Sequence, residues 1–238
     1  MRYGRFAQHV LSIICAGWTL LIGPAFSKDA ASVPLPPARP DAAKGAPAAE
    51  PADHHLDCEK QLGAIGTVDK HPVVTGAGGC GGSNLVSLRA VMLPAGAPLT
   101  LIPPAVLRCG MALALSQWLR DEVAPLFATK ADHELTSLEV AASYECRGQN
   151  RVAGAKLSEH GTGNAIDLSG FSLSSGRSFL LTDIHEPKSL REELRQSACK
   201  TFTTVLGPGS DGYHETHVHL DLRQRQGGYR ICQWDIRD

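Results

Sequence analysis

Two short segments of the chain concentrate the residue types that bind metals and move protons. The first is residues 158–167, SEHGTGNAID, and the second is residues 214–222, HETHVHLDL. If the second segment is a strand, Glu215, His217 and His219 lie on one face, because side chains alternate between the two faces of a strand. Two imidazoles and a carboxylate on one face could ligate a metal and transfer a proton.

The first segment adds an imidazole, His160, and a carboxylate, Asp167, across a loop that Gly161 and Gly163 allow to turn tightly. Two His and one Asp with one open position are typical of a catalytic zinc site, whereas a structural site needs a fourth protein ligand. The remaining polar groups of the two segments could provide that fourth ligand. A lone His-x-His pair is more often part of a surface strand, so the metal-site prediction depends on both segments together.

Helices and strands are predicted around both segments. Apolar residues recur at helical spacing between Pro104 and Pro125, which predicts one helix there. A second helix is predicted over residues 189–206, where acidic residues come early and Lys200 comes late. The predicted strands are residues 138–144, 165–173, 178–182 and 217–222. Because helices and strands segregate along the chain, we expect an α+β fold.

Three regions of different composition divide the chain. Residues 1–27 combine Arg2 and Arg5 with an apolar run of 16 residues and small residues near Ser27, which is typical of a secretory signal peptide. An uncleaved anchor is the alternative, but a bilayer span needs roughly 20 apolar residues. Residues 28–53, rich in Ala and Pro, are predicted to be an extended, disordered linker. Residues 54–238 are then one domain, with no stable membrane span after signal cleavage.

Charge and cysteine content limit the classes of function. The net charge is −1, or 21 − 24 = −3 once Arg2 and Arg5 are removed with the signal peptide, so binding of nucleic acid through a basic surface is not expected. Six cysteines remain after the signal peptide, and in an exported chain an even number predicts three disulfides. We expect the pairs 58–80, 109–232 and 146–199 among the possible connectivities. The compartment is then periplasmic or extracellular.

The first segment also matches a known signature. Residues 158–167 fit S-x-H-x-x-G-x-A-x-D at every fixed position, which resembles the LAS metallopeptidases, the superfamily of D-Ala-D-Ala carboxypeptidases and murein endopeptidases. The second segment resembles the H-x-x-H-x-H of the penicillin-insensitive murein endopeptidase. The predicted helix with Cys109 and Trp118, together with residues 144–147, resembles the bacterial extensin-like C-terminal domain family over residues 56–234.

This resemblance implies a fold and a zinc site. The fold would be α+β and similar to that of the LAS peptidases and hedgehog signalling domains, with a small antiparallel sheet, flanked by helices, that carries one zinc ion. The implied zinc ligands are His160, Asp167 and His219. His217 would be the general base that takes a proton from the attacking water.

The resemblance also implies substrate contacts. Arg147 would bind a carboxylate or carbonyl oxygen of the substrate, although a structural ion pair is an alternative role. Ser158 would orient the loop or contact the substrate, or act only as a turn-forming hydroxyl. His214 would lie behind the ligands or on an exposed loop.

One departure from the carboxypeptidase pattern favours an endopeptidase, since carboxypeptidase members have a Glu three residues before the last zinc histidine, where this chain has Thr216. A second departure concerns the role of Arg147, which lies one residue further from Tyr144 than is common. We therefore expect an exported, monomeric zinc peptidase that acts on peptide cross-links or stem peptides of peptidoglycan. The alternatives are a non-catalytic zinc-containing wall-binding module and a structural wall protein without metal.

Overall fold

Both histidine-containing segments lead into central strands of one large sheet. The fold is seen in a computed structural model, which describes residues 52–131, 133–152 and 154–237. The predicted signal peptide, residues 1–27, lies outside the described residues, as does the predicted linker up to residue 51. None of the helices in the described ranges combines the length and the apolar character that crossing a membrane requires.

Eleven strands and four α-helices follow one another along the described chain. The α-helices are α1 (Ala52–Ile65), α2 (Cys109–Trp118), α3 (Ala124–Lys130) and α4 (Lys188–Thr201). The strands before α2 are β1 (Gly66–Lys70), β2 (Val74–Thr75), β3 (Gly81–Gly82), β4 (Leu85–Met92) and β5 (Pro98–Arg108). The strands after α3 are β6 (Leu135–Ala142), β7 (Ala165–Leu173), β8 (Ser178–Leu180), β9 (Thr204–Leu206), β10 (Val218–Asp221) and β11 (Ile231–Gln233).

The sheet has nine strands in the order β1-β4-β5-β6-β7-β10-β9-β11, with β8 also paired to β7. All pairs are antiparallel except β5 with β6 and β9 with β11. The α+β class is therefore confirmed, but the expectation of a small sheet is wrong. The predicted strands do not include β4 or β5, so the prediction lacks one side of the sheet.

Buried apolar side chains explain why β7 lies in the middle of the sheet. Seven of its nine residues are buried, since β6 and β10 pair with its two edges and apolar side chains cover its faces. Phe171 packs edge-on against Phe127 of α3 at 5.3 Å between ring centroids. This rigid strand, predicted with the correct bounds, carries Asp167.

The predicted helix from Pro104 to Pro125 differs from the observed one at both ends. Residues 104–108 belong to β5, where Ala105 and Leu107 are buried and pair with β4. At the other end the helix does not stop at Pro125, because α2 continues through a π-helical turn (Leu119–Val123) into α3. Pro125 falls in the first turn of α3, a position that tolerates proline.

One predicted helix and one predicted strand are shorter in the structure. The predicted helix over residues 189–206 ends at Thr201, because Thr204 and Val205 pair with β10 instead. The predicted strand over residues 217–222 is shorter, so that His217 lies just before the first residue of β10. β-branched residues favour strands, and here this preference prevails over the helical pattern.

Three disulfides are present, as the even number of cysteines predicts, but all three predicted pairs are wrong. The observed pairs are Cys58–Cys109, Cys80–Cys146 and Cys199–Cys232. The first joins α1 to the start of α2, against which α1 packs, and the last joins α4 to β11. Packing of elements that are distant in sequence determines these pairs, and spacing along the chain does not report it.

Candidate metal centre

Side chains from both histidine-containing segments converge at the centre of the sheet. His160 Nε2 lies 3.2 Å from Asp167 Oδ1 and 3.2 Å from His219 Nδ1, and the latter two atoms are 2.9 Å apart. All three residues are buried. A tetrahedral zinc ion bonded at 2.0–2.1 Å separates its ligand atoms by about 3.3 Å, so this triangle has the size that a single metal ion requires.

Strand register accounts for two corners of the triangle. Asp167 of β7 lies directly opposite His219 of β10 in the antiparallel pair, so their side chains leave the sheet side by side. His160 comes from a short 3₁₀-helix (Glu159–Thr162) immediately before β7. The hydroxyl of Ser158 accepts a hydrogen bond from the backbone N–H of His160 at 3.3 Å and caps this helix.

Gly163 connects the His160 turn to the Asp167 strand and has to be glycine. Its φ is +68°, and a Cβ atom there would lie 2.4 Å from Leu85 Cδ2 and 2.9 Å from the backbone nitrogen of Arg108. The carbonyl of Gly163 also accepts a hydrogen bond from that nitrogen at 2.7 Å. The left-handed conformation and the close contact together fix the position of His160 over β7.

The three converging atoms all have a lone pair to donate to a cation. His160 Nδ1 lies 2.7 Å from the carbonyl oxygen of Ser143 and donates to it, so Nε2 of the neutral ring is an acceptor. His219 Nε2 lies 3.1 Å from Asp221 Oδ2 and donates to that carboxylate, so Nδ1 is likewise an acceptor. Adjacent acceptor atoms repel one another, so in the absence of a metal ion a proton must lie between them.

The pKa values agree with that arrangement. Burial opposes the charged form of His219, but its hydrogen bonds to Asp167 and Asp221 outweigh burial and raise the pKa of His219 to about 9. Burial likewise favours neutral Asp167, yet its contacts with His160 and His219 lower its pKa far below the ordinary value. Asp167 is thus an anion, and the centre attracts positive charge.

His217 and His214 lie next to the three converging side chains. His217 Nε2 is 3.6 Å from Asp167 Oδ2, and 20% of the His217 side chain is exposed. Burial lowers the pKa of His217, and nearby His214 and His219 lower it further against the opposing charge of Asp167. A neutral imidazole at the edge of the centre can accept a proton. His214 is buried, with its Nδ1 2.7 Å from Asp211 Oδ1.

Arg147 is held between two carboxylates. Its Nε donates to Glu145 Oε2 at 2.9 Å, and its Nη2 lies 3.7 Å from Asp167 Oδ2. Arg151 also pairs with Glu145. Burial would raise the pKa of Glu145, but the hydrogen bonds from Arg151 and Arg147 outweigh it and lower that pKa. Both proposed roles of Arg147, ion pairing and substrate contact, fit this position.

Glu215 does not belong to the centre, contrary to the prediction that it shares a strand face with His217 and His219. Its Oε1 accepts a hydrogen bond from the backbone N–H of Gly209 at 2.8 Å, and its Oε2 lies 3.4 Å from Arg237 Nη1. The strand begins only at Val218, so the alternation does not extend back to Glu215.

Two cavities border the centre. The first has a volume of about 240 Å³, and its lining includes Ser158, His160, His219 and Asp221. The second has a volume of about 270 Å³, and its lining includes Ala141, Ala142, Asp167, Tyr213 and His217. Arg147, Asn150 and His214 line both cavities. The centre thus contributes side chains to both cavities.

Sequence reasoning missed several carboxylates that hold the polar side chains in place. Asp221 contacts His219, Glu145 contacts Arg147, and Asp211 contacts His214. The spacing of Asp221, two residues after His219 on a strand, was the available signal, because such residues share a face. The other two contacts depend on loop conformations without a comparable pattern.

Comparison with known proteins places most of the chain in one family. The family model described as extensin-like protein C-terminus matches residues 56–233. A search of curated proteins finds no match. The match confirms the resemblance drawn from the helix with Cys109 and Trp118 and from residues 144–147.

Proposed function

We propose that this chain, which belongs to the extensin-like protein C-terminus family, is an exported zinc peptidase that hydrolyses internal peptide bonds of peptidoglycan. The observation that carries the proposal is the convergence of His160 Nε2, Asp167 Oδ1 and His219 Nδ1 at metal-ligand spacing. The resemblance of residues 158–167 to the LAS signature supports the substrate class. The three disulfides support export, since disulfides persist in oxidising compartments.

The residues around the centre suit hydrolysis of an amide bond. A zinc ion held by the three ligands would polarise the substrate carbonyl and acidify the attacking water. His217 accepts the proton of that water at a ring nitrogen and returns it to the leaving amine. Arg147 orients a carbonyl or carboxylate oxygen of the substrate, because its guanidinium is held by Glu145 and faces both cavities.

The two cavities favour an endopeptidase over a carboxypeptidase. His160 and His219 line the first cavity, whereas Asp167 and His217 line the second, so the centre lies between them. A peptide with residues on both sides of the cleaved bond then has space at each end. The second cavity has Ala141 and Ala142 in its wall, which leaves room for a small side chain such as that of alanine.

The test combines metal analysis with digestion of whole peptidoglycan. We expect about one zinc per chain, loss of cross-linked muropeptides on chromatography, and no loss when EDTA is present. His217→Ala should keep its zinc and lose turnover by at least about 100-fold, since general bases typically contribute 10²–10⁴-fold. His185→Ala, an exposed histidine on a loop, is the matched control and should behave as the wild type.

Other outcomes contradict the proposal in different ways. Zinc binding without any change in muropeptides would indicate the non-catalytic zinc module. Absence of zinc would reject the metal centre altogether. Full activity of His217→Ala would remove His217 from the role of base.

A further inference from the structure

We propose that Asp221 is a positioning residue, which selects Nδ1 as the nitrogen that His219 presents to the metal. This inference rests on the proposed zinc centre. Its basis is the contact between Asp221 Oδ2 and His219 Nε2, 3.1 Å apart, on the side of the ring opposite the converging ligand atoms. Asp221 is itself buried, with a relative exposure of 4%.

The position of Asp221 follows from the strand. His219 and Asp221 are two residues apart in β10, so both side chains leave the same face of the sheet. His219 lies opposite Asp167 of β7, and Asp221 lies opposite Thr204 of β9, the residue whose hydroxyl is hydrogen-bonded to the Asp221 carboxylate. The Asp221 carboxylate contacts Nε2 of the imidazole, while Nδ1 faces Asp167 at 2.9 Å.

The carboxylate of Asp221 is held by contacts other than His219. Its Oδ1 accepts the backbone N–H of Arg223 at 3.0 Å, and the hydroxyl of Thr204 is hydrogen-bonded to it as well. Thr204 Oγ1 in turn accepts from Arg225 Nη2 at 2.7 Å, which leaves its proton free to be donated to Asp221. Arg225 is fixed by a second bond to the carbonyl of Thr203 at 3.2 Å.

This chain of contacts determines the tautomer of His219. A neutral imidazole carries one proton, and the nitrogen that carries it cannot bind a metal. Asp221 is an acceptor only, so it requires the proton on Nε2 and leaves Nδ1 free for the metal. Carboxylates in this position also make the histidine a stronger ligand, and their removal typically costs 10–100-fold in metal affinity.

The test measures zinc affinity of the full chain by competition with a chromophoric chelator, together with the protonation pattern of His219 by nitrogen-15 NMR. Asp221→Ala should bind zinc about 10–100-fold more weakly than the wild type. Asp221→Asn should lose less, because the amide oxygen can still accept the Nε2 proton. Both losses should accompany a mixture of Nδ1-bound and Nε2-bound His219 in the zinc-loaded protein, which a purely structural role would not produce.

Two further variants keep the test decisive. Thr204→Val removes one of the groups that hold Asp221 and should weaken zinc binding severalfold, even if Asp221→Ala fails to fold. Glu139→Gln is the matched control, because this carboxylate accepts hydrogen bonds from Ser137 and Ser172 elsewhere in the sheet and should leave zinc affinity unchanged.

The result also separates this inference from the proposed function. If the wild type binds zinc and the Asp221 and Thr204 variants bind it within twofold of the wild type, with one unchanged tautomer, the positioning role is rejected and the zinc peptidase stands. If the wild type binds no zinc, the proposed function and this inference are both rejected.

Discussion

At the scale of single residues, the centre combines a negative charge with acceptors that need a cation. Asp167 is ionised and buried beside His160 and His219, and Arg147 Nη2 is 3.7 Å from its outer oxygen. That Arg147 contact is too long for a strong hydrogen bond. Nη2 can therefore bond a substrate oxygen while Nε keeps its hydrogen bond to Glu145.

The position of Arg147 leads to a prediction about activity. Arg147→Ala should keep zinc but lower kcat/KM by about 10–100-fold, the effect of losing a hydrogen bond to a charged group. Arg147→Lys should recover only part of the loss, because lysine lacks the two-pronged geometry. Arg89→Ala, which removes an exposed ion pair with Asp69, is the control. Wild-type kcat/KM in Arg147→Ala would assign Arg147 a purely structural role.

The lowered pKa of Glu145 predicts how pH affects stability. Its ionised form is favoured in the folded chain, so its contribution is complete above its ordinary pKa of about 4.3 and is lost as pH falls through the lower folded value. Glu145→Gln should therefore lower the free energy of unfolding by about 0.5–1 kcal/mol at pH 7, since Glu145 is partly exposed. Urea unfolding should show this difference shrinking at pH 3, and a constant difference would contradict it.

At the scale of elements, the strand–turn–strand geometry brings together residues that are far apart in sequence. The structure of the first segment was predictable, because its glycines indicate a tight turn after His160 and the residues that follow indicate a strand. The observed β7 has the expected bounds. The helix boundaries at residues 109 and 201 were not predictable from the sequence, because the neighbouring strands β5 and β9 form through pairing with β4 and β10. Periodicity within one segment does not report which neighbours will pair with it.

Gly163 offers a test at this scale. Gly163→Ala should destabilise the fold by about 2–4 kcal/mol, because a positive φ costs about 1–3 kcal/mol and the added Cβ would overlap Leu85 and Arg108. Zinc affinity should fall as well, since the His160 turn must shift. Gly176→Ala is the control: its φ is +82°, but no atom lies within 4 Å of the added Cβ. It should cost less and leave zinc binding intact, as measured by urea unfolding and metal content.

At the scale of the whole molecule, the three disulfides differ in their relation to the centre. Cys80 packs against the His160 turn, with its Sγ 3.5 Å from the Cβ position of Gly161, and Cys146 immediately precedes Arg147. Cys199–Cys232 joins α4 to β11 instead. The presence of disulfides was predictable from the even number of cysteines, but their pairing was not, because it depends on the finished packing.

This difference predicts separate effects on stability and on the centre. Cys80→Ala with Cys146→Ala should lower the free energy of unfolding by about 2–4 kcal/mol and also weaken zinc binding. Cys199→Ala with Cys232→Ala should cost a similar amount of stability but leave zinc affinity close to that of the wild type. Equal zinc affinity in both double variants would show that the Cys80–Cys146 bond does not support the centre.

The Cys80–Cys146 bond also bears on where the proposed activity would arise. In a reducing cytosol the chain would contain every proposed ligand and the base, yet the His160 turn and Arg147 would lack the covalent link that holds them together. Oxidation after export would supply that link. The proposed peptidase activity would then be switched on by the chemistry of the compartment in which its proposed substrate is found, and the cell that makes the chain would be spared during synthesis.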